Sequence, residues 1–419
     1  QAQGAVPCSW PLETSVDSLL NVAYPDTNAV YWTMPIDTSL WRGMVITGRF
    51  PATRFMSFTS YDTKGAAIEG LLDFQMRPDK DSRNPFDPGK AATAGGAGVG
   101  GDRYTVFVDQ DSRAPKGGSH LQLGPGLGWV IYRIYVPNNG QNQQGGVDLP
   151  SVTMVGRDGS LHPLAPCPTR DLASLAQNYP AAAAAIQAII AAAGSTGGIE
   201  ADNCAPDQVA FAIPNKTGGY FPNPANKYIA APALCYQPGR VIVVRGKAAV
   251  FPDTYSGKPV WQPPGQFAKV DMRYWSLCNN DQVQPYPVVQ CAADYQTAVD
   301  AQGYYTYIVA EAENGKAPAW LPAGTTWLPW GSKTARNILL FRNMIPAPSF
   351  HQSVQDALAA GCIFDNTTTP VPYQSMADAS ACAAGVMGAY HPAAVYCDQQ
   401  LLTAQGWQAC FAAAGVPLP

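Results

Sequence analysis

The sequence is poor in charge. Only 13% of its 419 residues are Asp, Glu, Lys or Arg, about half the ~25% usual in globular domains. A formal net charge of −4 leaves no basic footprint for nucleic acid. No Lys/Arg run marks a segment drawn to an anionic membrane. No apolar stretch reaches the ~18 residues a bilayer helix needs, and the longest, Ala181 to Ala193, is Ala-rich and short. Glutamate is scarce, which lowers helix propensity. Cysteines never occur as C-x-x-C, so close-spaced thiolate–metal clusters and haem attachment are excluded. The chain also lacks G-x-S-x-G, H-E-x-x-H and G-x-x-x-x-G-K-[ST], which removes the commonest hydrolase, metalloprotease and phosphate-loop signatures.

What is present favours strands and turns. Gly 39 and Pro 38 supply turns, while Tyr 20 and Trp 10 suit pleated, half-buried surfaces. Ten cysteines, an even number, read as disulfides formed in an oxidising compartment. Cys278 and Cys291 flank a turn-rich loop and are expected to clip it. Cys167 and Cys204 bracket a helical segment and are expected to pin its ends. Cys8 and Cys235 then remain as a pair, and Cys362, Cys382, Cys397 and Cys410 allow three pairings that the sequence does not decide. The first residue is Gln1 rather than Met, so a removed signal peptide is expected. Asn215 and Asn366 head N-x-[ST] glycosylation sequons.

Four cues occur twice in the same order. Val45 to Arg49 precedes Arg54-Phe55-Met56-Ser57-Phe58; Val243 to Gly246 precedes Arg273-Tyr274-Trp275-Ser276-Leu277. A Tyr-Thr strand follows, Tyr104 to Val108 and then Tyr305 to Val309. Each half closes on a strand with Arg and, four residues on, Pro: Arg133 to Pro137 and Arg342 to Pro346. Such ordered recurrence signals an internal repeat. Alternation supports strands: Phe55, Ser57, Thr59 and Tyr61 share one face, Arg54, Met56, Phe58 and Ser60 the other. In the closing strand both faces are apolar, which places it between two layers. The fold class expected is mainly β: two tandem antiparallel β-sandwich or jelly-roll-like modules with a helical linker and a disulfide-rich helical C-terminal segment. The expected divisions are an N-terminal arm (1–40), module 1 (41–165), linker (166–204), module 2 (205–350) and C-terminal segment (351–419).

The run Met56-Ser57-Phe58-Thr59-Ser60-Tyr61-Asp62 resembles the W-S-L-T-x-Y-D run of a family of bacterial domains of unknown function, as does Trp275-Ser276-Leu277. Trp327-Leu328-Pro329-Trp330 ahead of Arg342 to Pro346 resembles that family's N-W-L-P and R-x-Y-x-P segments, with Asn343 and Met344 as departures. The resemblance covers roughly residues 28–350. It implies a secreted or cell-envelope β-sandwich protein and carries no activity with it.

Chemistry is thin. Gly96 to Gly101 matches G-x-G-x-x-G, but a strand follows where a phosphate-binding helix would have to start. The four histidines, His120, His162, His351 and His391, are scattered; His120 lies in a loop and is the first choice for a catalytic base, against the commoner reading of all four as structural. Arg54, Arg133, Arg273 and Arg342 sit in strands with apolar faces and must find acceptors. Asp62, Asp73 and Asp271 are the expected partners. A structural ion pair is favoured over a pocket gripping an anionic ligand. Asp79, Asp81 and Asn84 offer oxygens for Ca²⁺ on a short loop, opposed by Lys80 and Arg83, so an Asx-turn loop is the plainer reading. Trp261, Trp320, Trp327 and Trp330 lie in Pro/Gly-rich segments. They pack locally as small cores or, if any surface takes a ligand, form its aromatic platform.

The expectation is a secreted or envelope protein with a non-catalytic binding or structural role. Its partner would be an extracellular glycan or other surface component, with no cofactor, nucleic acid or membrane span, and with homo-oligomers allowed. The alternatives are an extracellular hydrolase of polysaccharide or ester, and a self-assembling envelope or filament subunit.

Overall fold

The structure, a computed structural model, describes residues 7–15, 25–87, 102–111, 118–195, 209–214, 221–260, 270–283, 286–364 and 375–419. Asn215, Asn366, Trp261, Cys204 and the glycine-rich run before Asp102 lie outside them. Among the described residues the chain forms two mainly antiparallel sandwiches, each with one parallel strand pair.

The first sandwich pairs two five-stranded sheets. One has the order β1 (Leu12–Thr14), β2 (Ala29–Asp37), β8 (Leu127–Pro137), β4 (Thr53–Tyr61), β5 (Ala67–Leu72). The other runs β10 (Leu161–Pro163), β9 (Ser151–Gly156), β3 (Trp41–Arg49), β6 (Arg103–Asp109), β7 (Ser119–Gln122). The second sandwich begins after helices α1 (Leu172–Asn178) and α2 (Pro180–Ser195). Its sheets are β12 (Asn226–Leu234), β18 (Asn337–Pro346), β14 (Met272–Asp281), β15 (Val288–Ala293), and β17 (Thr326–Pro329), β16 (Tyr304–Ala310), β13 (Arg240–Lys247), β20 (Ala393–Asp398). Short β11 (Ile213–Pro214) and β19 (Ile363–Phe364) pair in parallel beside it. The order β2-β8-β4-β5 therefore has its counterpart in β12-β18-β14-β15, and β7-β6-β3-β9 in β17-β16-β13-β20. Registers agree too: Arg133 lies opposite Tyr31 and Ser57, Arg342 opposite Tyr228 and Ser276.

Alternation decides what each strand buries. Met56, Phe58, Val130, Tyr132 and Ile134 point into the first sandwich with Trp10, Trp32 and Tyr104. Trp129 and Ile131 point outward, where Leu175, Ala183 and Ile186 of α1 and α2 cover them. Asp171 caps α1 by accepting from Ser174 N at 2.7 Å, which satisfies one otherwise orphaned amide. Trp275, Leu277, Leu339 and Phe341 fill the second interior with Tyr305 and Tyr307. Gly48 and Gly246 leave room for a Tyr hydroxyl; a Cβ at either would lie 2.5 Å from the Oη of Tyr104 or Tyr305.

Some sequence-based boundaries move. The described part of residues 1–40 is no separate arm, because β1 and β2 belong to the first sheet. The C-terminal segment is helical in α3 (Val354–Ala359), α4 (Met376–Met387), α5 (Gln399–Gln405) and α6 (Trp407–Ala413), yet it also supplies β20, an edge strand of the second sandwich. Leu402, Cys410 and Phe411 then cover Val241 and Val243 on the outer face of β13.

The disulfide pairing is corrected as well. Cys8 bonds Cys167, so neither Cys8–Cys235 nor Cys167–Cys204 forms. The segment before β1 docks beside residues 165–167, with Ser9 N donating to Ala165 O and Cys167 N to Ser9 O; that brings the two thiols together. Cys278–Cys291 forms as expected, across directly opposed positions of β14 and β15. The C-terminal pairs are Cys362–Cys382 and Cys397–Cys410. Cys235 is also disulfide-bonded.

Candidate functional site

Arg54 and Arg273 lie near the starts of β4 and β14. Asp73 and Asp294 open tight 3-10 turns just after β5 and β15, over Asp73–Gln75 and Asp294–Gln296. The two turns are built alike. Gln75 Oε1 accepts from Leu72 N at 2.9 Å, and Gln296 Oε1 from Ala293 N at 3.0 Å. Each aspartate accepts an amide from its own sandwich's arginine-bearing strand: Met56 N to Asp73 Oδ2 at 3.1 Å, Trp275 N to Asp294 Oδ2 at 3.2 Å.

The arginines then cross over. Arg54 Nη1 donates to both oxygens of Asp294 at 2.9 and 2.8 Å, and Arg273 Nη1 donates to Asp73 Oδ2 at 2.8 Å. Each Nη1 also reaches the main-chain carbonyl of the other arginine at 3.3 Å. All four side chains are buried. Burial holds both carboxyls above the usual aspartate value, against the pull of the arginine and the amide donors. Desolvating two ion pairs is costly, and only dense hydrogen bonding repays it. Around them Phe55, Tyr135, Tyr274 and Met344 form an apolar cluster drawn from both sandwiches, with Tyr135 and Tyr274 edge-to-face at 5.4 Å. Asp26 of the first sandwich accepts from Tyr274 Oη and Ser276 Oγ of the second, both at 2.7 Å. Chemically this centre is a clamp. Its guanidinium charges are spent on carboxylates inside the protein.

Of the expected arginine partners, Asp73 is right. Asp62 instead accepts from Lys64 N and Ala66 N in a turn, and Asp271 from Val250 N. Asp294 is not among the expected partners, although the triplets Asp73-Phe74-Gln75 and Asp294-Tyr295-Gln296 mark the equivalence. Among the described residues Arg133 meets no carboxylate; it donates to Thr59 Oγ1 and Phe221 O and lies 5.0 and 5.5 Å from the rings of Tyr31 and Tyr61. Arg342 Nη1 lies 2.7 Å from Cys278 Sγ.

The other candidates scatter. Asn84 donates to Asp73 O and Met76 O, so it braces the turn that carries Asp73. Asp79 accepts from Thr105 Oγ1, and Asp81 occupies a left-handed turn position with φ 66°. These three do not converge on a cation. Trp330 is buried in the second core, and Trp327 Nε1 donates to Ala310 O at 3.0 Å. Trp320 and Trp327 pack against the small core under α5 and α6. These three tryptophans thus pack into local cores rather than forming an open platform. His120 Nε2 meets Asp109 Oδ1 at 2.7 Å. His162 Nε2 lies 2.8 Å from Ser160 Oγ, which also bonds Asp158 at 2.5 Å. His391 is buried against Phe211 O, and that burial pulls its pKa down to about 4.

Compared with solved structures, the fold is similar to that of an uncharacterized protein from Burkholderia cenocepacia. The TM-score is 0.51 at 14% identity, covering 82% of this chain and 80% of that one. A protein from Vibrio parahaemolyticus is matched at TM-score 0.38 and 10% identity, covering 76% and 85%. No family model matches the chain, and no curated protein does. The Burkholderia likeness shows the fold alone.

Proposed function

We propose that this is a secreted or cell-envelope protein with a non-catalytic role, holding or displaying a binding surface toward an extracellular glycan or other surface component. The observation that carries this is the reciprocal crossing of Arg54 to Asp294 and Arg273 to Asp73. Two sandwiches fixed together by fully buried charges form a rigid body, which suits a scaffold better than a hinge. The disulfides point to an oxidising compartment. The like registers of the two sandwiches support their origin from one duplicated unit, and the W-S-L-T-x-Y-D resemblance supports a bacterial envelope setting.

One observation favours a second reading, an extracellular hydrolase: Ser160 Oγ lies within hydrogen-bond reach of His162. Here, however, the carboxylate of Asp158 contacts the serine and not the imidazole that a triad would have it orient. A screen of the intact protein against a glycan array and generic ester substrates separates the two. Glycan binding without turnover supports the first reading. Ester hydrolysis abolished by Ser160→Ala would replace it with the second.

A further inference from the structure

Trp41, Arg42, Gln110, Asp111 and Arg157 line a cavity of about 260 Å³ at one end of the β9-β3-β6 sheet. Three neighbouring strands deliver them. Trp41 and Arg42 open β3, Gln110 and Asp111 follow β6, and Arg157 follows β9. A β-bulge sets the tryptophan, because the pairing of β3 with β9 slips between Trp41 and Gly43. Bulges re-aim side chains and are common beside functional sites. Gly43 is needed there, since a Cβ would come 2.3 Å from Val108 O. The indole stays partly open to solvent, packed edge-on against His162 at 5.3 Å.

The charges are arranged unequally. Arg157 donates through Nε to Ser39 O at 3.2 Å and through Nη2 to Thr38 O. Two main-chain carbonyls fix this guanidinium in place, and among the described residues it makes no ion pair. Arg42 meets Asp111 only loosely, at 3.7 Å, with both side chains more than half exposed. The cavity therefore offers one flat apolar face, two guanidinium groups, one carboxylate and one amide, with a net charge of +1.

We propose that this cavity binds one ring of an acidic saccharide, a sugar bearing a carboxylate. The proposal rests on the glycan-binding reading above and names its site and ligand class. The indole takes the C–H face of the ring, as aromatic side chains do with flat, partly apolar ligands. Arg157, with Arg42, takes the carboxylate through charge-assisted bonds. Asp111 and Gln110 accept from ring hydroxyls. A simple inorganic anion leaves Trp41 and Asp111 without a role, and a neutral sugar leaves the Arg157 charge without a counter-ion. The volume falls just below the ~300–1,000 Å³ of drug-sized sites, which fits a single ring. Among the described residues the second sandwich does not repeat the Trp41–Arg42 pair. Aligning the Gly48–Tyr104 and Gly246–Tyr305 pairs places Gly239 where Trp41 stands, while Arg240, the counterpart of Arg42, is engaged by Asp398 and Gln237. The buried arginines Arg54 and Arg273 occur in both sandwiches as structure; the Trp41–Arg42 pair does not.

The test is titration of the full-length protein with a galacturonate oligosaccharide, its methyl ester, the matching neutral galactose oligosaccharide, and acetate. We expect the acid to bind, with the ester, the neutral oligomer, Trp41→Ala, Arg157→Gln and Arg42→Gln each weakening binding about tenfold, as loss of one charge-assisted or stacking contact gives. Arg42 is exposed, so Arg42→Gln reports on binding whether or not Trp41→Ala folds. Equal binding of acid and ester, competition by acetate at the same concentration, unaltered binding by Arg42→Gln and Arg157→Gln, or no binding of the acid would overturn the proposal. Binding of a neutral glycan insensitive to all three substitutions would overturn this site alone and leave the broader reading standing.

Discussion

Gly48 and Tyr104 make one close contact of the first sandwich, and Gly246 and Tyr305 repeat it in the second. In both, the glycine lacks a Cβ where the Tyr Oη sits, 2.5 Å from the place a Cβ would take. Each strand tolerates the glycine because the phenol fills the space a side chain would otherwise hold.

The pairing makes a rescue experiment direct. Gly246→Ala should destabilise the protein by about 1–3 kcal/mol, the usual range for overpacking. Tyr305 Oη is buried and finds no hydrogen-bond partner among the described residues, and burial raises its pKa strongly. Tyr305→Phe alone should therefore be neutral or slightly stabilising, since it removes an unsatisfied hydroxyl. The double variant should recover part of the alanine's cost in urea unfolding, because the ring Cζ still lies 2.9 Å from the added Cβ. A Tyr305→Phe variant that loses more than about 1 kcal/mol would contradict the contact.

The disulfides should rank by the loop each closes. Cys8–Cys167 spans 159 residues and Cys278–Cys291 spans 13. The loop-entropy model assigns about 5 and about 3 kcal/mol to them. Serine replacement of the first pair should therefore lower the melting temperature more than replacement of the second, and full reduction should lower it further. An unchanged melt under full reduction would remove the disulfides from the account.

His391 gives a pH signature. Its folded pKa, near 4, lies below the ordinary 6.5 because burial penalises the cation. Between those values the unfolded chain binds a proton that the folded chain refuses, so stability falls as pH drops from about 6.5 to about 4 and levels off below. The window corresponds to about 3 kcal/mol. His391→Gln should flatten that part of the stability profile, read by denaturant midpoints across pH. A profile with the same slope in the variant would assign the effect elsewhere.

Much of the fold was legible because strands announce themselves by alternation. Met56 and Phe58 against Phe55 and Tyr61 fixed two faces, and Val130 to Val136, apolar on both, lies between the sandwich interior and its outer covers. The equivalence of Arg54 with Arg273 was visible too. Their partners were harder to see, because Asp294 and Asp73 lie 240 and 200 positions away and no local rule reports a crossing between sandwiches. Cys8 was misassigned by elimination, which ignores the docking of Ser9 beside Ala165. Ala393 to Asp398 reads as part of an Ala-rich helical segment; it becomes a strand because the edge of β13 offers it six paired positions. The Trp41 cavity has no sequence signature, because its five residues come from three strand ends and share no motif.

The most direct test of the central claim is a double-mutant cycle on Arg54 and Asp294, followed by chemical denaturation. Arg54→Met or Asp294→Leu alone leaves a buried charge without its partner and should cost about 3–5 kcal/mol, while the double variant costs far less than the sum. The matching cycle on Arg273 and Asp73 should give a coupling of similar size. Additive single effects below about 1 kcal/mol, as exposed pairs show, would mean that the two sandwiches are not held together by these crossed charges.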